Sequence, residues 1–440
     1  MTKEAFMYLI DKNAELTPLV LGKILNRFQT VELPKLIKSY KYYKGEQAIT
    51  LKQPTDTGKP ANKIITNFCH TITDTYEGYL TGVPIQYSND NFDEILNILK
   101  YNDVKNEDGE FLRQGLIFGR SFEICYIDED KKQRFRTLDP RECIPVYDNT
   151  LNNNLLYVIR FWRSDMFDKS NEEYIVEVYG AQSTKRYKSN VGFSSFTLIE
   201  EVPNFYGQCP ITVFSLNTEE ESIFHNIMSL QDAYNTLLSS EIDDWESFCD
   251  AYMILKGAAI DEEEMENMKK HRLLIMDTDA EAEYLTKDVN DVQIRNMLQL
   301  VNDNIHKIAC CPDFSQESFG TSSGIALRYR LLGFENNAAA IESNFKMALQ
   351  RRIELLCSII QLTGGEALWR DVKITFYRNL PINLEETSTI VNNLRGLVSD
   401  ETLLSQIPFI SDVEEEMKKL AKQKEAAVSL YNFGNGEEEE

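Results

Sequence analysis

Apolar positions change their spacing along this chain, and the changes divide it. Between residues 1 and about 120 they recur three to four apart, as in 33–43 (LPKLIKSYKYY) and 64–80 (IITNFCHTITDTYEGYL). That spacing predicts mostly helix. Residues 45–60 are polar with Gly and Pro and read as a loop, and Gly82-Val83-Pro84 ends the second helix. From Phe122 the period shortens. FEICYID, RFRTLD, LLYVIRFWR, EYIVEVYG, KRYKS and FTLIEEV are short, aromatic and β-branched, separated by Asp-Pro, Asn runs and Gly. They predict an antiparallel meander of five or six strands.

Residues 211–311 contain no proline and a single glycine, Gly257. Ile223, Ile227, Leu230, Tyr234, Leu237 and Trp245 mark one face of a long helix. Residues 252–256 (YMILK) and 272–276 (RLLIM) are strand-like and flank an acidic helix, 262–270. Ile294, Leu298, Val301, Ile305 and Ile308 then step by 4, 3, 4 and 3, a narrow helical seam that packs on neighbouring helices. Asp288 is placed to cap that helix. Residues 310–323 (CCPDFSQESFGTSS) break the pattern. Gly324–Leu362 follows, 39 residues without proline. As one helix it is roughly 58 Å long, against an ordinary mean of about 11 or 12 residues. Gly333 inside it costs about 1 kcal/mol relative to alanine, so a bend or a close helix crossing is expected there. Residues 372–377 (VKITFY) read as a strand, 384–428 as two or three helices, and 433–440 as a disordered acidic tail. The order predicts an α+β fold, mainly helical, without internal repeats.

Composition narrows the function. With 440 residues, 42% hydrophobic and 11% aromatic, the chain is long enough for more than one folding region. Its net charge is −24, the wrong sign for simple duplex or membrane binding. The charge is uneven: residues 219–287 hold 18 acidic against 5 basic side chains, and 384–440 hold 13 against 5. Any contact with nucleic acid must therefore be local or weak. Eight cysteines without a C-x-x-C pair read as reduced thiols of a cytosolic setting. The start, MTKEAFMYLIDKN, is too charged for a signal peptide. No uncharged apolar run of about 18 residues predicts a membrane span.

Candidate chemistry is sparse. The four histidines, His70, His225, His271 and His306, form no H-E-x-x-H or H-x-H pair. The best metal candidate, His306 with Cys310 and Cys311, is interrupted by Pro312 and lacks a fourth ligand nearby. Thr57-Gly58-Lys59 lacks the upstream glycine and following hydroxyl of a phosphate-binding loop. No catalytic residue, metal or cofactor is assigned. The basic residues Arg328, Arg330, Lys346, Arg351 and Arg352 stand against Glu335, Glu342 and Glu354 in the long segment. They read either as ion pairs within or between subunits or as transient phosphate contacts from a channel wall. The rival reading of the whole chain is an enzyme of unknown class with an acidic helical cap.

A set of short motifs points further. Tyr42-Tyr43-Lys44-Gly45, residues 62–67 (NKIITN), Gly78-Tyr79-Leu80 with Gly82 and Pro84, Phe118-Gly119-Arg120 and Leu138-Asp139-Pro140 come first. Residues 322–327 (SSGIAL), Arg378-Asn379-Leu380-Pro381 and Ser399-Asp400-Glu401-Thr402 follow. In this order the chain resembles the portal proteins of tailed bacteriophages, in the form found in long-tailed phages of Gram-positive hosts. The resemblance implies a homo-oligomeric, dodecameric ring at one capsid vertex of the virion, assembled in the host cytoplasm. Double-stranded DNA would thread its axis non-specifically during packaging and ejection. Terminase, a head-completion adaptor, scaffold and major capsid proteins would be partners, with no membrane.

The same resemblance implies a division of the chain. Residues 1–218 with 364–381 would form a wing, 219–247 and 288–309 two stem helices, and 248–287 a clip. Residues 310–323 would be a tunnel loop, 324–363 a kinked spine helix, and 382–440 a crown with the acidic tail. Asp313, Phe314, Ser315, Gln316, Glu317, Ser318 and Phe319 would face the channel without a basic residue, offering steric or polar contact. A ring closes through two different faces of each subunit, and the seam from Ile294 to Ile308 is expected to supply one.

Overall fold

A computed structural model describes residues 8–54, 60–88, 93–164, 173–190, 192–249, 253–256, 281–284, 291–314, 324–365, 368–379, 384–405 and 416–424, with positions 266, 407, 410 and 413. Helix α1 (Pro18–Arg27) starts where Thr17 Oγ1 accepts from the Val20 N–H and Pro18 fills the first turn. One π turn, Phe28–Glu32, leads into α2 (Leu33–Lys44). That helix ends on Gly45 at φ 83°, a left-handed cap that favours glycine. Helices α3 (Phe68–Thr81), α4 (Asp93–Tyr101) and α5 (Val104–Phe118) follow.

The helix expected over 64–80 begins four residues late. Residues 62–67 instead run extended along α6 (Met228–Cys249), whose side chains accept the N–H groups of Asn62, Ile64 and Thr66. Tertiary partners outbid the local helical pattern there.

The expected meander forms, but as two sheets. β3 (Arg120–Ile127) lies between β10 (Ile211–Ser215) and β4 (Gln133–Leu138), all antiparallel. The second sheet has the order β1-β5-β6-β7-β8-β9. In it β5 (Cys143–Asp148), β6 (Leu155–Arg163), β7 (Tyr174–Tyr179), β8 (Ser183–Ser189) and β9 (Phe196–Pro203) are antiparallel neighbours. β1 (Tyr8–Ile10) adds in parallel to β5. The expectation lacked β1, β5 and β10: each is short, and Pro145 sits within β5. β2 (Gln86–Ser88) pairs with β13 (Lys373–Thr375), joining distant parts of the chain. β11 (Met253–Lys256) pairs with β12 (Glu281–Tyr284), and residues 272–276 lie outside the described residues.

Helix α7 (Asp291–Ile308) packs on α6. Helix α8 (Gly324–Leu362) is one unbroken run of 39 residues. Gly333 interrupts nothing, and a Cβ built there meets no atom within 4 Å, so within the described chain no close crossing demands it. Shorter helices follow, α9 (Leu384–Leu394) and α10 (Asp400–Ser405), with a further helical run over 416–424.

The largest apolar cluster joins α3, α5, β10, the start of α6, the end of α7 and the first two-thirds of α8, with Tyr76, Phe111, Phe214, Phe334 and Phe345 at its centre. A second cluster seats α1 and α2 on the six-stranded sheet, and a third wraps the end of α8 with α4 and Phe135. No described helix is long and apolar enough to cross a membrane.

Candidate functional site

The break between α7 and α8 is the place to examine, because a long helix is fastened there to a loop. Its base is tied down by Tyr76 of α3. The Tyr76 hydroxyl donates toward the Ala309 and Cys310 carbonyls at 3.1 and 3.3 Å and accepts from Asn337 Nδ2 of α8 at 2.9 Å. One side chain thus satisfies the open carbonyls at the end of α7 and links them to α8. Cys310 takes φ +50°, turning the chain out of the helix. His306 Nδ1 donates to the Cys311 carbonyl at 2.9 Å, closing the turn from the other side.

Phe314, half exposed, sets its ring edge-on to the buried Phe334 at 6.4 Å between centroids. Asp313 is partly buried beside it. Ser315, Gln316, Glu317, Ser318 and Phe319 lie outside the described residues.

Cys310 is exposed and Cys311 buried, and burial pushes the Cys311 thiol up to about 12. Among the described residues no cluster of three or more His, Cys, Asp or Glu has metal-binding geometry.

The basic residues of α8 divide. Arg330 is exposed and Lys346 partly buried. The Arg328 side chain lies outside the described residues. Arg351 pairs within the chain, with Gln208 Oε1 at 2.6 Å and Glu354 Oε2 at 2.8 Å. Of the readings open for these residues, Arg352 takes the ion pair within the chain, which excludes a channel or intersubunit contact for it. It is fully buried, bonded to Glu123 and Asp108, and has no surface to offer DNA or a neighbouring subunit. Glu335 and Glu342 bind Arg378 of the segment after β13 instead, at 3.4 and 2.6 Å.

The seam on α7 is likewise not a single outer face. Ile305 is fully buried and Val301 packs on the same core, while Ile294 and Leu298 are partly buried. Only Ile308 of the five is exposed, at 48%. The apolar side chains that α7 turns outward are Val292, Met297 and Leu300, at 66%, 45% and 62% exposure. Val301 and Ile305 of the stripe thus serve this chain's own core.

Sequence reasoning missed Asp108, Glu123 and Tyr87, which surround Arg352. A carboxylate inside an apolar strand such as FEICYID was the available signal, since a buried charge needs a partner.

Some of the short motifs contact one another. Asn379 reaches back to α3, its N–H to the Tyr79 carbonyl at 3.3 Å and its Nδ2 to the Gly78 carbonyl at 3.2 Å. A Cβ on Gly82 would stand 2.4 Å from Asn379 Nδ2. Asn67 Nδ2 donates to the Tyr43 carbonyl at 2.7 Å. Gly119 turns at φ +82° against the Glu220 backbone, and Arg120 bridges Glu32 and Glu220 at 2.8 and 2.9 Å.

The sequence has relatives among phage proteins. The portal protein of Bacillus phage SPP1 is 23% identical over 424 residues, covering 88% of this chain and 83% of that protein. The portal protein of Clostridium phage phiCD119 is 22% identical over 397 residues, covering 84% of this chain and 86% of that one. The sequence profile described as "Phage portal protein, SPP1 Gp6-like" matches residues 23–430. The chain belongs to this family of phage portal proteins.

Proposed function

We propose that this chain is a non-enzymatic connector that forms a dodecameric ring at one capsid vertex and conducts double-stranded DNA during packaging, retention and ejection. Residues 1–218 with 364–381 form its wing, 219–247 and 288–309 its stem, 248–287 its clip, 310–323 its tunnel loop, 324–363 its spine and 382–440 its crown. Terminase docks first and a head-completion adaptor later. Scaffold and major capsid proteins meet the assembled ring, in the host cytoplasm before the virion is complete.

The observation that carries this reading is the family match over residues 23–430, together with the site at its middle. Tyr76 couples the loop base to both α3 and α8, so a push on Asp313 or Phe314 is received by a 39-residue helix anchored in the main core. Such an anchored loop suits a channel wall, where firm phosphate binding would oppose DNA movement. The outward Val292, Met297 and Leu300 give each copy an apolar face for its neighbour.

Negative-stain imaging of the purified full-length chain tests the ring. The expected result is closed rings of about a dozen copies; a monomer under every assembly condition rejects the proposal. Deleting residues 314–319 should leave rings intact and impair packaging of DNA. Unchanged packaging removes the tunnel-loop assignment.

A further inference from the structure

Helix α6 leaves the apolar core partway along its length. Ile227, just before it, and Met228, Leu230 and Tyr234 within it belong to or pack on the main cluster. Among the described residues, none of α6 beyond Tyr234 joins an apolar cluster. What continues is a polar row. Gln231, Asn235 and Ser239 are fully buried and Asp243 is 8% exposed. They are spaced four apart, so they line one side of the helix.

Facing this row are the extended residues 62–67 and Phe68, the first residue of α3. The Phe68 N–H donates to Gln231 Oε1 at 2.9 Å and the Thr66 N–H to Asn235 Oδ1 at 3.0 Å. The Ile64 N–H donates to Ser239 Oγ at 3.0 Å and the Asn62 N–H to Asp243 Oδ1 at 2.7 Å. Every fourth residue of the helix thus meets every second residue of the segment, running in opposite directions. Four helical residues rise about 6.0 Å, and two extended residues about 6.6 Å. The periods nearly agree, and the side chains of differing length absorb the remainder. The helix serves this segment as a neighbouring strand serves another in a sheet. Lys63 and Ile65, between the bonded residues, are exposed.

The rungs are braced. Thr66 Oγ1 donates to Asn235 Oδ1 at 2.8 Å, and Gln231 Nε2 to the same oxygen at 3.1 Å. Asn62 Nδ2 donates to Glu246 Oε2 at 2.8 Å, and the Lys52 ammonium binds Asp243. The register is guarded on one side: a slip of one rung would set Asp243 against Pro60, which has no N–H.

We propose that Gln231, Asn235, Ser239 and Asp243 form a rack that fixes the axial position of the stem helix against the wing, with 62–68 as the strap that receives force from the stem. The bonds run across the helix axis, so sliding α6 lengthwise must shear all four rungs together. Bending its far end away opens them singly, from Asp243 inward. The stem can therefore flex at its tip but not slide. The mechanical role rests on the portal reading of α6; the register does not.

Hydrogen exchange with residue-level fragmentation, on the full-length chain, tests the rack. Amides of Asn62, Ile64, Thr66 and Phe68 should exchange about tenfold or more slowly than those of Lys63 and Ile65. Ser239→Ala should speed Ile64 by a similar factor, and Ser239→Thr, which keeps the hydroxyl, should restore it. Uniform rates along the strap, or an Ile64 rate indifferent to Ser239→Ala, overturn the rack. This readout needs neither ring nor DNA, so a monomeric chain with alternating protection would keep the rack and reject the portal reading. In rings carrying Asn235→Ala with Ser239→Ala, DNA packaged per head should fall severalfold. Packaging at the unmodified level, with the alternation lost, rejects the mechanical role.

Discussion

Arg352 and Glu123 meet in a two-bonded fork across 229 residues of chain, Nε to Oε2 at 2.6 Å and Nη2 to Oε1 at 2.7 Å, with neither side chain exposed. Asp108 Oδ1 takes Nη1 at 2.5 Å, Tyr87 donates to Asp108 Oδ2 at 2.8 Å, and the guanidinium lies 4.5 Å from the Phe135 ring centre. One side chain therefore ties α8 to α5, β2 and β3. Arg352→Ala leaves two carboxylates buried without a cation, which should cost about 3–5 kcal/mol. Arg352→Lys should rescue little, since an ammonium cannot make the fork. Urea denaturation of the purified chain checks both; a loss under about 1 kcal/mol for Arg352→Ala would show that water or a neighbouring cation replaces the guanidinium.

The same cluster sets a pH dependence. Burial pushes the Glu123 carboxyl up to about 7 and raises Asp108 in the same direction, because one guanidinium cannot offset two buried anions. A carboxyl raised on folding holds its proton where the unfolded chain has released it. Its contribution is full below the unfolded value of 4.5 and is lost as pH rises toward about 7. Denaturation midpoints should fall between about pH 5 and pH 7.5, and less steeply in Glu123→Gln. Equal slopes in the two proteins would assign the effect to the general acidic repulsion of the chain instead.

Two glycines separate backbone necessity from tolerance. Gly119 holds φ +82°, and a Cβ there would stand 2.2 Å from the Glu220 backbone. Gly119→Ala should destabilise by more than about 1 kcal/mol. Gly333→Ala adds a methyl to open space in a helix and should stabilise the isolated subunit by about 0.5–1 kcal/mol. Thermal melts of the two variants should move in opposite directions. If Gly333→Ala melts higher yet fails to form rings, a neighbouring subunit approaches the spine at that point.

Assembly and folding should separate on α7. Ile305→Asp places a charge in the main core and should prevent folding of the subunit. Met297→Asp and Leu300→Asp alter exposed positions, so subunit stability should change by no more than about 0.5 kcal/mol while rings are lost. Circular dichroism melts paired with sedimentation velocity distinguish the cases. Rings that persist in both outward variants would move the subunit contact off this face.

Much of the architecture was legible from spacing alone. The 39-residue proline-free run is one helix, and the 4-3-4-3 seam is a helix packing stripe. Periodicity reports that a face is buried, not against what: Val301 and Ile305 of the seam meet this chain's own core, which the 4-3-4-3 spacing alone does not tell from a neighbouring subunit. For Arg352 the sequence left an ion pair within the chain open beside an intersubunit or channel contact, and only the arrival of Glu123 and Asp108 from β3 and α5 decides for burial.

The sequence by itself determined the local elements whose period and caps are written in consecutive residues, and the family through short motifs kept in order. Tertiary structure decided everything set by partners distant in the chain. It kept 62–67 out of a helix because α6 offers four acceptors at a matching pitch. It split the meander into two sheets, turned Val301 and Ile305 of the seam inward, and brought the motifs Gly78-Tyr79 and Arg378-Asn379 into contact. Local propensities are worth tenths of a kcal/mol per residue, whereas an unsatisfied buried N–H or an unpaired buried charge costs about 1–3 kcal/mol or more. Where the two conflict, the long-range partner prevails.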